Sequence, residues 1–482
     1  MLTPTHADLI AIAPEIILTI TAGLLLIVEA FLPGLRKYFS GLAMVGILAA
    51  VWARLHFELP GAVWAGTLQI DRLAAFVDIY ILVAIFLTFL MAGPFLRRTG
   101  TENGEFYALT LLAAVGAMVM ASSVNLLPLF LGLELLSIPL YVLNAFLRRN
   151  QISVEAGLKY FIVGAFASSF VLYGIALLYG ATASFDLAVI GSQVVASGQL
   201  SPLVAVGFAM IVGGLAFKLA LVPCHAWAPD VYQGGPTPVT AFLAVVPKGA
   251  ALIVLLRMVD GMDLLHISPK WVTAAAVIAV ASQTLGNIIA IVQNDVKRML
   301  AYSGIAHMGY ALVAVIVAGV DGGAAVLVYL VAYTLMNMGA FAAIAMLSER
   351  EDRPHLIADL RGQGYKRPIV ALAFTVCLFS LAGVPPFLGF TAKFVVFRAA
   401  VNEGFVWLAV IGVVNSLISA FYYLRVVYSM YMQPLPRREP RFIPSLPIGA
   451  AAAVAALGVL LLGIYPTPIL DAARIAILSL VR

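Results

Sequence analysis

Runs of roughly twenty apolar residues, parted by short polar breaks, recur along the whole of this 482-residue chain. A helix needs about 20 such residues to cross a bilayer. Fourteen segments satisfy that length: 10–32, 38–56, 74–96, 106–122, 125–147, 152–180, 202–227, 238–258, 271–293, 298–319, 323–348, 368–400, 405–432 and 443–466. The pattern predicts an all-α polytopic membrane protein. Most connections are short, the exceptions being 57–73, 181–201, 349–367 and 433–442. Within the first of these, Val63–Ile70 predicts a small hairpin turning at Ala65-Gly66.

Composition agrees with the pattern. Hydrophobic residues make up 63% of the chain, charged ones 11%, and the mean hydropathy is +1.05. A soluble domain is about 45–50% apolar and about 25% charged. Such a chain cannot clothe itself in polar groups, which excludes a soluble enzyme, a nucleic-acid binder, a disordered chain and a disulfide scaffold. Two cysteines, Cys224 and Cys377, are too few for an iron–sulfur cluster and too isolated for a zinc site. Met1–Ala13 lacks a basic stretch, so no cleaved signal peptide is expected.

The net charge of +5 is distributed unevenly. With fourteen spans both termini share a side. The opposite side collects 17 basic residues, among them Arg148, Arg149, Lys297, Arg298, Arg350, Arg353, Arg437, Arg438 and Arg441. The terminal side carries 7: Arg54, Arg72, Arg257, Lys270, Arg398, Arg474 and Arg482. The positive-inside rule then places both termini outside the cytoplasm and makes Ser348–Arg367 a charged cytoplasmic connector.

Four lysines remain, all inside spans: Lys159, Lys218, Lys248 and Lys393. Glu134 joins them mid-span. An ionisable side chain at mid-bilayer costs at least about 2.5–3.5 kcal/mol. Glu134, Lys218 and Lys393 have about ten apolar residues on either side, too many for their charges to reach the interface. Such groups mark ion paths. A buried lysine suits proton traffic because burial favours its neutral form while a nearby carboxylate favours the charged one. Arginine cannot alternate in this way. Glu134 with Lys218 is the first expected pair, and Lys248 the next acceptor. Lys159 stands nearer its span end, one turn after Glu155, where an ordinary snorkelling ion pair accounts for it equally well. His225, seven residues and about two turns after Lys218 along the same helical face, and His307, mid-span, fit either a relay or hydrogen-bonded packing. A bis-histidine haem has too few ligands at matched depth.

Two spans are interrupted by proline beside a lysine. One reads Lys218-Leu219-Ala220-Leu221-Val222-Pro223-Cys224-His225, the other Gly383-Val384-Pro385-Pro386-Phe387-Leu388-Gly389-Phe390-Thr391-Ala392-Lys393. Broken backbone at membrane depth is tolerated only inside protein or beside water, and marks ion sites in transporters. Lys218 and Lys393 are separated by five spans, as are Glu134 and His307. An odd number of spans inverts the second unit, so two inverted five-helix repeats are expected, spans 4–8 and 9–13. The division is 1–105 for an N-terminal three-helix segment, 106–260 and 269–432 for the repeats, and 443–482 for a C-terminal helix, all within one membrane domain, 1–482. Moving one charge against the membrane potential costs about 2.3 kcal/mol per 100 mV. The chain has no nucleotide, flavin or redox-metal motif, so energy is expected from a partner protein or a second ion gradient.

These motifs resemble a known family. Gly132-Leu133-Glu134-Leu135, Lys218 ahead of Val222–Asp230, Tyr232–Val239 and Gly383–Pro386 with Lys393 are similar to the antiporter-like membrane subunits of respiratory complex I, whose relatives include multisubunit cation/proton antiporters. The resemblance spans all fourteen segments. Within the family, a lysine rather than a glutamate at 393, and a chain that stops soon after the last span, point to one bacterial member. The resemblance implies a proton-translocating subunit of an NADH:quinone oxidoreductase. It implies an ion pair of Glu134 and Lys218, a central Lys248, a terminal Lys393, relay members His225 and His307, and a role for Lys159. It also implies a bacterial inner-membrane location with periplasmic termini, and an obligate hetero-oligomer bound by other membrane-arm subunits, lipid and protons. No cofactor is expected on this chain; NADH, FMN, iron–sulfur clusters and quinone belong to other subunits. His307 stands where a lysine would make the repeats symmetric. A sodium/proton antiporter subunit is the alternative.

Overall fold

A computed structural model describes residues 5–197, 201–262, 269–347, 352, 355–436 and 444–480. Arg350, Arg353, Arg437, Arg438, Arg441 and Arg482 of the charge tally lie outside the described residues. Thirteen long apolar helices are present among those described, and a fourteenth span is split in two. The expected segments therefore all appear as helices. The order is α1 (His6–Ala11), α2 (Ala13–Phe31), α3 (Phe39–His56), α4 (Arg72–Thr99), α5 (Gly104–Ser122), α6 (Leu126–Asn144), α7 (Gln151–Thr182) and α8 (Leu187–Ser197). Then follow α9 (Pro202–Leu219), α10 (Trp227–Gly234), α11 (Thr237–Gly261), α12 (Pro269–Ile291), α13 (Val296–Val317) and α14 (Gly319–Met346). The chain closes with α15 (Gln363–Lys366), α16 (Pro368–Ala382), α17 (Leu388–Asn402), α18 (Val406–Met432), α19 (Leu446–Ile464) and α20 (Thr467–Ile477).

Polar residues placed just before apolar runs start these helices. Asp71, Asn125, Asn150, Ser201 and Asp295 each cap the first turn through a side-chain oxygen. The expected hairpin forms from β1 (Gly61–Val63) and β2 (Leu68–Ile70), antiparallel, with Val63 opposite Leu68. Leu68 also bridges Ser123, which ties the hairpin to the end of α5.

The interior is built on α11, α13 and α14, which are buried on nearly every side. A helix apolar all round belongs in a core. α11 packs against α14, α4, α5, α9 and α13. α7 and α18, by contrast, keep one apolar face outward, toward lipid or partner subunits.

The two interrupted spans break as the prolines require. α9 ends at Leu219 with Ala220 left-handed, and α10 restarts at Trp227. α16 ends at Ala382 with Gly383 left-handed (φ 88°), and α17 restarts at Leu388. The first break corrects one expectation. His225 lies in the connection between half-helices, so it does not continue the helical face of Lys218.

Several basic residues assigned to loops are buried. Lys297 lies in the first turn of α13 and is 1% exposed. Its Nζ donates to the Gly235 carbonyl at 2.8 Å and stands 3.6 Å from Asp352. Asp352 accepts from both N–H and hydroxyl of Thr237, at 3.0 and 2.8 Å. Burial pushes the Asp352 carboxyl upward, but Lys297, His355 and Thr237 together hold it below the usual range. A depressed carboxylate stabilises the fold above its unfolded value of about 3.9, and that contribution fades as pH falls through the folded value. Acidification from about pH 5 toward 3 is therefore expected to destabilise the connector at Asp352, read as faster amide exchange at Thr237. Lys297→Met, which strands the carboxylate, is expected to cost about 3–5 kcal/mol at neutral pH, measured as loss of the subunit's thermal stability.

Candidate functional site

The expected membrane charges fall on helices that meet along the interior, and buried aromatic side chains fill the spaces between them. Lys218 sits in the last turn of α9 and is buried. Its ammonium lies over the rings of Tyr160, Tyr141 and Phe217 at 5.4, 5.5 and 5.8 Å. A cation over an aromatic face is held by the ring quadrupole. Glu134 of α6 is half-buried and within electrostatic reach. The two make no direct ion pair: Lys218 Nζ and Glu134 Oε1 are both buried without a hydrogen-bond partner among the described residues. The expected contact between them is therefore open in this structure.

Lys159 is separate from this pair. Its Nζ lies 2.8 Å from Glu155 and 2.8 Å from Asp230, on a face that stays open. Asp230, on α10, also binds Arg298 of α13. One carboxylate thus ties α7, in the first expected repeat, to α13, in the second. His225 is half-buried, and its Nδ1 has no partner among the described residues.

Aromatic rings run from Lys218 to Lys248. Tyr160 stacks on Trp227 at 4.8 Å, Trp227 meets Tyr232 at 6.4 Å, and Lys248 lies 5.4 Å over Tyr232. Lys248 is fully buried and donates to the Tyr333 hydroxyl at 3.4 Å. Gly304 of α13 makes room for it: a Cβ there would stand 2.7 Å from the ammonium and 2.8 Å from the Tyr333 hydroxyl.

Beyond Tyr333 the row reaches His307, with ring centroids 5.4 Å apart. His307 Nδ1 bonds the Tyr329 hydroxyl at 2.7 Å and Nε2 the Tyr423 hydroxyl at 3.2 Å. Tyr423 in turn bonds Ser303. Both Lys248 and Lys393 lie within electrostatic reach of the imidazole. Lys393, on α17, has its ammonium 5.1 Å over the Tyr310 ring. It donates to the carbonyls of Leu381 and Ala382, both at 3.1 Å. These are among the last carbonyls of α16, left free by the break, where the helix dipole is negative. Gly383 lets the lysine approach, with Lys393 Cδ 3.1 Å from where a Cβ would be.

Lys248, His307 and Lys393 are thus brought into one buried row. Lys218 joins it through rings, Glu134 stands off its end, and Lys159 and His225 lie outside it. Sequence reasoning took Tyr232 only as part of a family motif and passed over Tyr310, Tyr329, Tyr333 and Tyr423; together these supply the hydroxyls and faces of the row. The spacing of Tyr329 and Tyr333, one turn apart on a membrane-spanning helix, was the available signal. Among the described residues no cluster of His, Cys, Asp and Glu could hold a metal ion. The row can hold and pass protons between amines, imidazole and hydroxyls.

Comparison with known proteins fits this chemistry. The family model described as NADH:quinone oxidoreductase/Mrp antiporter, transmembrane, matches residues 122–419. A protein of Trichlorobacter lovleyi named NADH-quinone oxidoreductase subunit N is 41% identical, over 98% of this chain and 97% of its own. A subunit N 2 of Roseiflexus castenholzii is 43% identical over 95% and 94%. A chain of respiratory complex I from Thermus thermophilus, solved with aureothin, superposes with a TM-score of 0.81 at 34% identity, covering 95% of this chain and 98% of that one. A chain of the Mrp complex from Dietzia sp. superposes at 0.84 with 23% identity, covering 99% and 98%, which is a likeness of fold alone.

Gly304→Ala is expected to push the Lys248 ammonium off Tyr333 and lower proton transport several-fold while leaving assembly intact. Transport in membrane vesicles and a native gel of the same membranes check both halves.

Proposed function

The chain belongs to the family of NADH:quinone oxidoreductase and Mrp antiporter transmembrane subunits, and on that premise we propose how its residues translocate protons. It is a membrane-arm subunit of a proton-translocating NADH:quinone oxidoreductase, of the subunit N kind. The row from Lys218 through Lys248 and His307 to Lys393 is the proton path, with Glu134 as the mobile counter-charge of Lys218. The observation that carries this reading is the buried contact of Lys248 with Tyr333 and of His307 with Tyr329 and Tyr423.

The chemistry follows from the contacts. Lys218 has no acceptor among the described residues and rests on aromatic faces, so approach of Glu134 favours its charged form and withdrawal favours release of a proton. Lys248 has one weak hydroxyl partner and is the next amine. Tyr333, His307 and Tyr423 offer sites that both donate and accept. Lys393 has two carbonyl acceptors at a negative helix end, which favour its charged form. Buried hydroxyls without protein partners, those of Tyr141, Tyr160 and Tyr232, are placed to be joined by water. Energy reaches the subunit through other membrane-arm subunits, and NADH, FMN, iron–sulfur clusters and quinone act elsewhere in the complex.

Two inverted repeats, 106–260 and 269–432, frame the path, between the segment 1–105 and the C-terminal helix of 443–482. Two capped helix starts support the inversion. Asn125 opens α6 and bridges Asp186, while Asp295 opens α13 and bridges Leu356, in matching places of the two units. The lysines are not register-equivalent, however: Lys218 precedes its break and Lys393 follows its own. The uneven spread of basic residues supports an orientation with both termini on the periplasmic side of a bacterial inner membrane. Lys159 and Asp230 then lie toward the cytoplasm, as a tie between repeats rather than a step in the path.

NADH-driven proton uptake into inverted vesicles tests this reading. With Lys218→Ala, the complex is expected to assemble on a native gel while uptake and NADH:quinone turnover both fall, by ten-fold or more. Unchanged uptake with loss of sodium extrusion would instead make this an antiporter subunit.

A further inference from the structure

Five buried charged side chains at one end of the fold take no part in the lysine–histidine row. They are Glu15 on α2, Arg54 on α3, Asp71 and Asp78 at the start of α4, and Arg257 on α11. Each is less than a tenth exposed. Arginine stays charged at any physiological pH, so three carboxyls face two fixed positive charges.

The geometry divides them. Arg257 donates to Asp71 through both terminal nitrogens, at 3.1 and 2.9 Å, and through Nε to the Ala121 carbonyl. Asp71 also caps Ala74 at 2.7 Å. That pair is matched. Arg54 alone then serves both Glu15 and Asp78. Its Nη2 is 2.7 Å from Asp78 Oδ2 and 3.4 Å from both oxygens of Glu15, while Nη1 goes to the Ala11 carbonyl at 3.0 Å. Asp78 Oδ1 is buried with no hydrogen-bond partner among the described residues.

Two buried carboxylates on one guanidinium leave one negative charge without compensation. A buried group in that position neutralises rather than remain charged, and like charges sharing a site titrate as a pair. We propose that Glu15 and Asp78 share one proton about Arg54, forming a proton-holding site on the terminal side of the membrane, apart from the lysine–histidine row. Two connections make it a release site for translocated protons. Arg257 is on the same helix as Lys248 and binds Asp71, so a displacement of α11 at the lysine reaches the cluster. Tyr80, two residues after Asp78, also packs on Gly249 beside Lys248. The transport role rests on the function proposed above, whereas the shared proton does not.

Infrared difference spectra of the intact complex in H2O and D2O test the shared proton. One deuterium-sensitive carboxylic band is expected in the wild type and absent from both Glu15→Gln and Asp78→Asn. Either change leaves one carboxylate facing one guanidinium, with no proton to hold. Persistence of the band in either variant overturns the shared proton. If Asp78→Asn does not assemble on a native gel, Asp78→Glu must keep the band at a shifted frequency, and an unshifted band overturns the assignment. Proton uptake per NADH into inverted vesicles is expected to fall two-fold or more in both neutral variants. An unchanged ratio with the band lost overturns the release role and leaves the Lys218→Ala result, and the proposed function with it, untouched.

Discussion

An ammonium group inside a bilayer needs acceptors, and an unbroken helix has none to give. Every carbonyl along its length is already bonded within the helix, and no water stands beside it in the lipid. The breaks at Pro223 and Pro385-Pro386 answer this constraint by freeing carbonyls at depth. At the second break the answer is direct, because Lys393 takes the carbonyls of Leu381 and Ala382. At the first it is indirect. Ala220 and Leu221 N–H groups turn back onto Phe217 and Ala216, and the Trp227 indole takes the Phe217 carbonyl as well. Lys218 is left among rings. One break binds its lysine and the other isolates it.

That difference sets the amines of the row in unlike surroundings, aromatic faces for Lys218 and two carbonyls at a negative helix end for Lys393. Lys248 lies between them in partner number, with one long bond to Tyr333. His307 lies beside Lys248 and Lys393, and both its nitrogens are bonded to phenols. Phenols donate and accept, so the ring can change tautomer without losing either bond. A lysine in that place would offer donors only for as long as it stays charged. The departure from internal symmetry at 307 therefore has a chemical use.

Much of the fold was legible because lipid makes the code simple: about twenty apolar residues spell a span, and proline beside a lysine spells a break. The buried charges were legible for the same reason, since Glu134, Lys218, Lys248 and Lys393 interrupt apolar runs. What escaped was whatever looked ordinary in one dimension. Tyr232, Tyr310, Tyr329, Tyr333 and Tyr423 count as hydrophobic and sit at helical spacing, as packing residues do. Lys297 lies among loop arginines in sequence, and its partner Asp352 belongs to a distant connector, so burial followed only from folding. His225 fell on the face of Lys218 only if α9 ran on. The left-handed turn at Ala220 ends that face just past Lys218, before it can carry forward to the histidine.

The same blindness hid the cluster at the other end. Glu15, Arg54, Asp71, Asp78 and Arg257 fall within two turns of a span end, where charges are ordinarily solvated. Four helices bring them together there, and each charge is less than a tenth exposed once the helices have packed. Arginine is the residue for such a place because it cannot discharge, whereas lysine suits the row because it can. In the path proposed the two cations divide accordingly: fixed charges stand where carboxyls would hold a proton, and dischargeable amines stand where it would travel on the amine itself. A path built from both passes its load from a group that changes charge to one whose charge is set by its neighbours.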